Sequence, residues 1–89
     1  MKNYYSTRND IILTFSDIET INGFESITVY FERANNNGFD FAEGKLPNNL
    51  FYKSYGFSQE ELIRLEKYLR NNAFLIWNMA REKGSAVIA

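Results

Sequence analysis

Any chemistry in this 89-residue sequence must rest on carboxylates, lysine, arginine, tyrosine or serine, because the chain contains neither cysteine nor histidine. Asp17 and Glu19 lie two residues apart, which places both carboxylates on one face of a β-strand. Such a pair can hold a metal ion or act as acid and base, and Asp40 could join it in a deep pocket. Carboxylates exposed to solvent on an antiparallel sheet are the commoner reason for this spacing. We therefore predict no catalytic residue, no metal site and no cofactor.

The two missing residue types exclude several reaction classes. Without cysteine the chain has no disulfide framework, no thiolate nucleophile and no cysteine zinc site. Without histidine it has no Ser-His-Asp triad and no HExxH metal motif. We therefore predict that the protein is not an enzyme.

A second group of residues has the composition of a nucleic-acid-binding surface, in which aromatic rings stack on bases and cations neutralise phosphates. Tyr52 and Tyr55 lie beside the possible basic surface, which consists of Lys53, Arg64, Lys67 and Arg70. Residues 45–89 contain seven basic and four acidic residues, whereas residues 1–44 contain three basic and seven acidic ones. However, Arg64 and Arg70 each follow a glutamate by four residues, the spacing of a helical ion pair. A solvated charged face is therefore the favoured interpretation.

Alternating apolar and polar residues predict three β-strands, over residues 11–16, 27–32 and 39–42. Asn22-Gly23 favours a type I′ hairpin turn between the first two strands, because both residues accept positive φ. The asparagine-rich segment 35–38 is typical of a turn before the third strand. Residues 50–57 fit either a short edge strand or an aromatic-rich loop over the sheet.

The first predicted hairpin cannot continue without interruption. An unbroken hairpin would place Ser16 opposite Val29 and mix polar with apolar residues on the buried face. One extra residue near Ser16-Asp17 instead pairs Phe15 with Val29. We therefore predict a β-bulge or local break there, with a longer loop over residues 16–24 as the alternative.

Ser58-Gln59-Glu60-Glu61 is a capping box, which predicts the start of a helix. Apolar residues spaced three or four apart continue from Leu62 to Ala80, and Lys83-Gly84 predicts the end of the helix. The fold class is thus α+β: an antiparallel three- to four-stranded β-meander packed against one long C-terminal helix. The predicted core is Leu13, Phe15, Ile27, Val29, Phe31, Phe39, Phe41, Leu62, Leu65, Leu69, Ile76 and Trp77.

We expect one domain over residues 1–89, on the basis of chain length. Its predicted parts are a loose N-terminus (1–9), the β-meander and loop (10–57), the helix (58–84) and a short tail (85–89). No segment has the apolar run of a secretory signal or of a membrane span, so we expect a cytoplasmic protein without membrane contact. The abundance of asparagine, isoleucine, lysine, phenylalanine and tyrosine fits an AT-rich bacterial genome.

The second half of the helix is apolar nearly all round between Ala73 and Ala80. A helix of that kind is normally buried on more than one side, and a small sheet covers only one. A second copy of the chain is the simplest cover for the other side. We therefore predict a homodimer whose contacts include Phe74, Leu75, Trp77 and Met79. The alternatives are complete coverage of this helix segment by the sheet, residues 50–57 and the tail, or a ligand pocket lined by Phe74, Trp77 and Met79.

The second half of the chain resembles a family of small uncharacterised bacterial proteins. The resemblance rests on the G-x-L-P junction Gly44-Lys45-Leu46-Pro47 and on the helix ending Leu75-Ile76-Trp77-Asn78-Met79-Ala80-Arg81-Glu82-Lys83-Gly84. Members of this family have an antiparallel β-meander and a C-terminal helix, and some are encoded near toxin–antitoxin genes. Residues 31–38 lack the histidines and prolines usual in the family's hairpin. The resemblance implies the same fold and leaves the activity open.

These observations together predict a non-enzymatic, homodimeric protein-interaction module in the bacterial cytoplasm, whose protein partner, if any, is unknown. The alternative is a nucleic-acid-binding or toxin–antitoxin accessory protein that uses the basic C-terminal half. A carboxylate-dependent enzyme is the third hypothesis, which a bound divalent metal or a deep acidic pocket would support.

Overall fold

The computed structural model describes residues 2–88 as an antiparallel sheet with one long C-terminal helix packed against it. The elements are β1 (Lys2–Arg8), β2 (Ile11–Ser16), β3 (Glu19–Ile21), β4 (Phe24–Asn35), β5 (Gly38–Leu46), β6 (Leu50–Tyr55) and α1 (Gln59–Ile88). The strand order is β1-β2-β4-β5-β6, and β3 pairs with the beginning of β4. The predicted α+β class and its meander are confirmed, although the sheet has six strands rather than three or four.

The prediction of a loose N-terminus over residues 1–9 is wrong, because the chain forms β1 there. Asn9 and Asp10 have φ angles of 52° and 65° and make a two-residue turn into β2. Side chains of this type tolerate the left-handed conformation. Asn3 is buried and donates a hydrogen bond to the carbonyl of Phe15 at 3.1 Å. A polar residue thus holds β1 in place, which a search for apolar alternation does not detect.

The predicted break at Ser16-Asp17 is confirmed. β2 ends at Ser16 and β3 begins at Glu19, and both segments pair with β4 in registers that differ by one residue. This offset places Phe15 opposite Val29, as the hydrophobic pattern requires. The hydroxyl of Ser16 accepts a hydrogen bond from the backbone N–H of Thr28 at 2.9 Å. The side chain therefore supplies an acceptor where the backbone ladder is interrupted.

The expectation that Phe39 and Phe41 lie in the core is wrong. Phe39 is 59% exposed and Phe41 is only partly buried. The residues that β5 turns towards the helix are Asp40, Ala42, Gly44 and Leu46. Phe31 lies directly opposite Ala42 and fills the space above β5, and Asp40 is held inward by Arg33 of β4 at 2.8 Å. Because strand side chains alternate, both phenylalanines lie on the other face of the sheet.

Residues 50–55 form β6, so the edge-strand alternative holds for most of the segment 50–57. The capping box of α1 is confirmed: the Ser58 N–H donates to the Glu61 carboxylate at 2.8 Å, and the Glu61 N–H donates to the Ser58 hydroxyl at 3.1 Å. The predicted helix end at Lys83-Gly84 is wrong, because α1 continues to Ile88. A glycine within a helix costs only about 1 kcal/mol relative to alanine, and no proline follows. Of the predicted tail 85–89, only Ala89 lies outside the described residues.

The core lies between α1 and the inner face of the sheet. Its buried apolar residues are Leu13, Phe15, Ile27, Val29, Phe31, Ala42, Leu46, Leu65, Leu69, Ile76 and Ala80. Leu62 and Trp77, which the helical spacing also assigns to the core, are partly buried and pack against it. No helix within residues 2–88 combines the length and apolar composition needed to cross a bilayer.

Candidate functional site: the open face of the sheet

The acidic residues singled out by the sequence do not form one site. Asp17 accepts a hydrogen bond from the amide of Asn3 at 3.0 Å, and Asp40 is ion-paired with Arg33 on the inner face. Glu19 lies on the outer face, where it accepts a hydrogen bond from a threonine hydroxyl of β4 at 3.1 Å. Residues 2–88 contain no group of three or more acidic side chains placed to hold a metal ion.

The possible basic surface is divided between two faces of the molecule. Lys53 lies on β6, with its Nζ atom 5.9 Å from the centre of the Phe41 ring on the outer face of the sheet. Arg64, Lys67 and Arg70 lie on α1, against the opposite face of the sheet. Arg70 is paired with Glu66 at 3.3 Å, as the sequence spacing predicts, whereas the other predicted pair is wrong, because within residues 2–88 no carboxylate lies within 4.0 Å of the Arg64 guanidinium. The four cations therefore do not form a continuous surface.

The predicted dimer contacts on the helix also have different environments. Phe74 is 74% exposed and Leu75 is 51% exposed, so both are available to a partner. Trp77 and Met79 are partly buried and pack against the chain's own core. The guanidinium of Arg81 lies 5.3 Å from the centre of the Trp77 ring and covers part of it. The exposed patch on this part of the helix consists of Phe74 and Leu75, which we call the helix patch.

A larger set of exposed apolar side chains lies on the outer face of the sheet, which the helix does not cover. We call this surface the open face. Its exposed aromatic and aliphatic residues are Tyr4, Ile12, Ile21, Phe24, Phe39, Leu50, Tyr52 and Tyr55. At its β6 edge, Phe41 stacks on Tyr55 with the ring centres 6.3 Å apart. Among residues 2–83, whose side chains the structure describes, most of the exposed large apolar ones are therefore collected on one surface.

Lysines and glutamates of the open face lie in pairs of opposite charge. Lys2 lies 3.4 Å from Glu32 and stacks over the ring of Tyr30, and Lys45 lies 4.0 Å from Glu19. Exposed pairs of this kind contribute little stability, and they leave the surface close to electrical neutrality.

Tyr52 and Glu43 form a further polar contact of the open face. The phenol of Tyr52 donates a hydrogen bond to the carboxylate of Glu43. Burial of the phenol, together with this bond, raises the pKa of Tyr52 well above its usual value. The phenol therefore stays neutral throughout the physiological range and remains the hydrogen-bond donor to Glu43.

The assignment of Phe39 and Phe41 to the core conceals the open face in the sequence. Two signals in the sequence indicate the correct assignment. A two-residue turn at Asn36-Asn37 pairs Phe31 with Ala42, so Phe39 and Phe41 fall on the face opposite to Phe31. Asn9-Asp10 is a turn dipeptide, which predicts a strand before it and places Tyr4 in the sheet.

Comparison with known proteins gives no relative from which a function could be transferred. The resemblance stated for the second half of the sequence stays a prediction, because no family model, no curated protein and no solved structure matches the chain.

Proposed function

We propose that this chain is a non-enzymatic, cytoplasmic protein-interaction module that forms a homodimer through the open face of its sheet. The observation that supports this function is the collection of exposed aromatic and aliphatic side chains on the face that α1 leaves uncovered. Soluble monomers rarely expose a contiguous apolar patch larger than a few hundred Å². Tyrosine and phenylalanine are also the residues that protein interfaces favour at their centres.

The dimensions of the open face suit a dimer. Five neighbouring strands at a spacing of about 4.8 Å, each about 20 Å long, cover roughly 500 Å² in projection. Protruding aromatic rings raise the accessible area towards the roughly 800 Å² that each partner buries in a standard interface. Among the helix side chains that the structure describes after residue 70, only the two of the helix patch are large, apolar and exposed, which is too few to form such an interface.

The charges of the open face favour a second copy over a strongly charged partner. Lys2, Lys45 and Lys53 lie on this face together with Glu19, Glu32 and Glu43, so its formal charges balance. In a two-fold interface each residue meets the same surface of its partner. Lysines of one protomer can therefore lie against glutamates of the other, without a net charge that opposes association.

The mass in solution tests this proposal. Light scattering at micromolar concentration should give twice the chain mass of 10.4 kDa. The double substitution Phe39→Ser and Tyr55→Ser removes two exposed rings from the open face and should give the monomer mass. The matched control, Phe74→Ser with Leu75→Ser, removes two exposed apolar side chains from the helix patch and should leave the dimer intact.

Two results would contradict the proposed dimer. A mass of 10.4 kDa for the unchanged chain at concentrations up to about 100 μM would remove the homodimer, because stable dimers associate well below this concentration. If the helix-patch variant became monomeric and the open-face variant did not, the interface would lie on α1, as Phe74, Leu75, Trp77 and Met79 predict. Far-UV circular dichroism of both variants verifies that they remain folded.

The second candidate function is binding of single-stranded nucleic acid, as a nucleic-acid-binding or toxin–antitoxin accessory protein. The observation in its favour is again the open face, since exposed rings on a sheet can stack on bases. The balanced charges argue against it, because binding to the phosphate backbone depends on net positive charge. Fluorescence anisotropy with labelled oligo(dT) and oligo(U) decides between the two functions. Binding that weakens steeply from about 50 to 200 mM salt would favour the second.

A further inference from the structure

A cavity of about 540 Å³ lies on the other side of the sheet, between the beginning of α1 and the ends of β1, β2 and β4. Small-molecule sites typically have volumes of about 300–1,000 Å³, so this cavity has a suitable size. Its floor contains the core side chains Leu13, Phe31 and Leu65, which are 1%, 1% and 8% exposed. The floor is therefore apolar, and the partly buried Ile11 and Tyr68 supply most of the apolar surface that a bound molecule could contact.

The rim of this cavity carries more positive than negative charge. Arg8, Arg33 and Arg64 line it, and Glu61 is the only carboxylate among the described lining residues. Glu61 is already bound by the guanidinium of Arg33 at 2.6 Å and by the N–H of Ser58 at 2.8 Å. These two hydrogen bonds lower the pKa of Glu61 to about 2, so the carboxylate stays ionised and bound to its partners. It does not neutralise the other two arginines.

Arg8 and Arg64 are the cations of the rim that remain available. Within residues 2–88 neither guanidinium lies within 4.0 Å of a carboxylate. The guanidinium of Arg8 lies 4.8 Å from the centre of the Tyr68 ring, which orients its planar group. The hydroxyls of Tyr68 and Ser6 are 2.9 Å apart on the same rim and provide a further donor. β1 and α1 thus bring hydrogen-bond donors to one opening above an apolar floor.

We propose that this cavity binds a small organic anion, in which a carboxylate or phosphate group is attached to an apolar body of about the size of a phenyl ring. The anionic group lies between Arg8 and Arg64, whose planar guanidinium groups match the geometry of carboxylate and phosphate oxygens. The apolar body contacts Ile11 and the ring of Tyr68, with Leu65 beneath them. A neutral molecule of the same shape lacks the group that pairs with the two arginines, so it binds more weakly.

This site is independent of the proposed dimer, because the cavity lies on the helix side of the sheet and the open face lies on the other. Binding to the cavity is therefore measurable whether the chain is a monomer or a dimer. Conversely, the loss of the dimer in the open-face variant does not remove the cavity.

Isothermal titration calorimetry with the full chain tests the site. The probes are phenylacetate, phenyl phosphate, inorganic phosphate and the neutral 2-phenylacetamide. Phenylacetate or phenyl phosphate should bind at least about tenfold more tightly than the amide, because the hydrogen bonds to a charged group are lost in the neutral probe. Comparison of the two anions distinguishes a carboxylate site from a phosphate site. Inorganic phosphate should bind more weakly than phenyl phosphate, because it lacks the apolar body.

Arg64→Gln is the diagnostic variant, since this side chain is exposed and its removal leaves the core unchanged. It should weaken binding of the anionic probe by about tenfold, whereas Arg70→Gln, further along α1 and outside the cavity, should leave the affinity unchanged. Arg8→Gln should weaken binding to a similar extent. Equal affinities for the anion and the amide, equal effects of the two helix substitutions, or no binding up to about 10 mM would each overturn the proposal.

Discussion

Gly56 connects β6 to α1, and its replacement by alanine should destabilise the protein through one identified contact. Gly56 has a φ angle of +87°, and an added Cβ atom would lie 2.6 Å from Cγ and 2.9 Å from Cβ of Asp40. Asp40 cannot move away freely, because it is 9% exposed and accepts hydrogen bonds from Arg33 at 2.8 Å and from Asn35 at 2.6 Å. The substitution must therefore displace a carboxylate that links β5 to β4.

The expected loss follows from two contributions. A side chain in the left-handed region costs about 1–2 kcal/mol. Loss of a hydrogen bond to a charged group adds about 1.5–3 kcal/mol, so Gly56→Ala should lower the free energy of unfolding by about 2.5–5 kcal/mol. Gly23→Ala is the matched control, because Gly23 has a φ angle of +82° and no atom within 4 Å of the added Cβ. It should lose only the first contribution.

Urea unfolding followed by far-UV circular dichroism measures both variants. Gly56→Ala should be less stable than Gly23→Ala by at least about 1.5 kcal/mol, which corresponds to a difference in Tm of roughly 6–12 °C. Combining Gly56→Ala with Asp40→Ala removes the obstructing carboxylate, so the glycine substitution should cost less in that background. Equal losses for the two glycine variants, within about 0.5 kcal/mol, would show that the contact with Asp40 is not responsible.

Three further predictions test the helix and its attachment to the sheet. Leu69→Ala should lower the free energy of unfolding by about 3–4 kcal/mol, because it truncates a fully buried side chain. Ile63→Ala, at a position that is 60% exposed, should lower it by less than about 0.5 kcal/mol. Equal losses in urea titrations would mean that the helix presents another face to the core. Ser58→Ala should cost about 1 kcal/mol through loss of the cap, and an unchanged thermal midpoint would contradict that role. The pKa of Glu61 is lowered from its usual 4.5 to about 2 by Arg33 and Ser58. The ionised carboxylate therefore stabilises the fold fully above pH 4.5, and this stabilisation is lost as the pH falls towards 2. Glu61→Gln should flatten the acid dependence of the thermal midpoint, and an identical slope would refute the role of Glu61.

The features that could be predicted from the sequence are those that depend on neighbouring residues. Ser58 and Glu61 form a cap within one turn, and Asn22-Gly23 forms a tight turn with φ angles of 53° and 82°. The break after Ser16 was also predictable, because two adjacent strands had to agree on which face is buried. In each case the competing conformations differ locally, and a few side chains decide between them.

Features that depend on distant partners were not predictable in the same way. Asp40 faces inward because Arg33 and Asn35 bind it there, and this arrangement turns two phenylalanines outward. The open face was therefore hidden from an analysis based on hydrophobicity alone. The cavity likewise combines residues from β1 and α1, such as Ser6 and Tyr68, which are far apart in the sequence. In the sequence, the arginines of the cavity appear only as separate charges, because nothing in their spacing shows that they lie together.

The two outermost strands of the sheet bear on how copies of this chain can aggregate. An unpaired strand is a template for the addition of further strands, and proteins block this growth with bulges, charges and short lengths. β1 has an extra residue at Tyr5 and charged side chains at Lys2 and Arg8, and β6 has six residues and contains Lys53. Backbone pairing between copies is therefore disfavoured, so fibrillar growth is suppressed while the broad aromatic surface stays exposed. The fold thus disfavours association through the main chain and leaves side-chain contacts, as in the proposed dimer, as the route by which copies can meet.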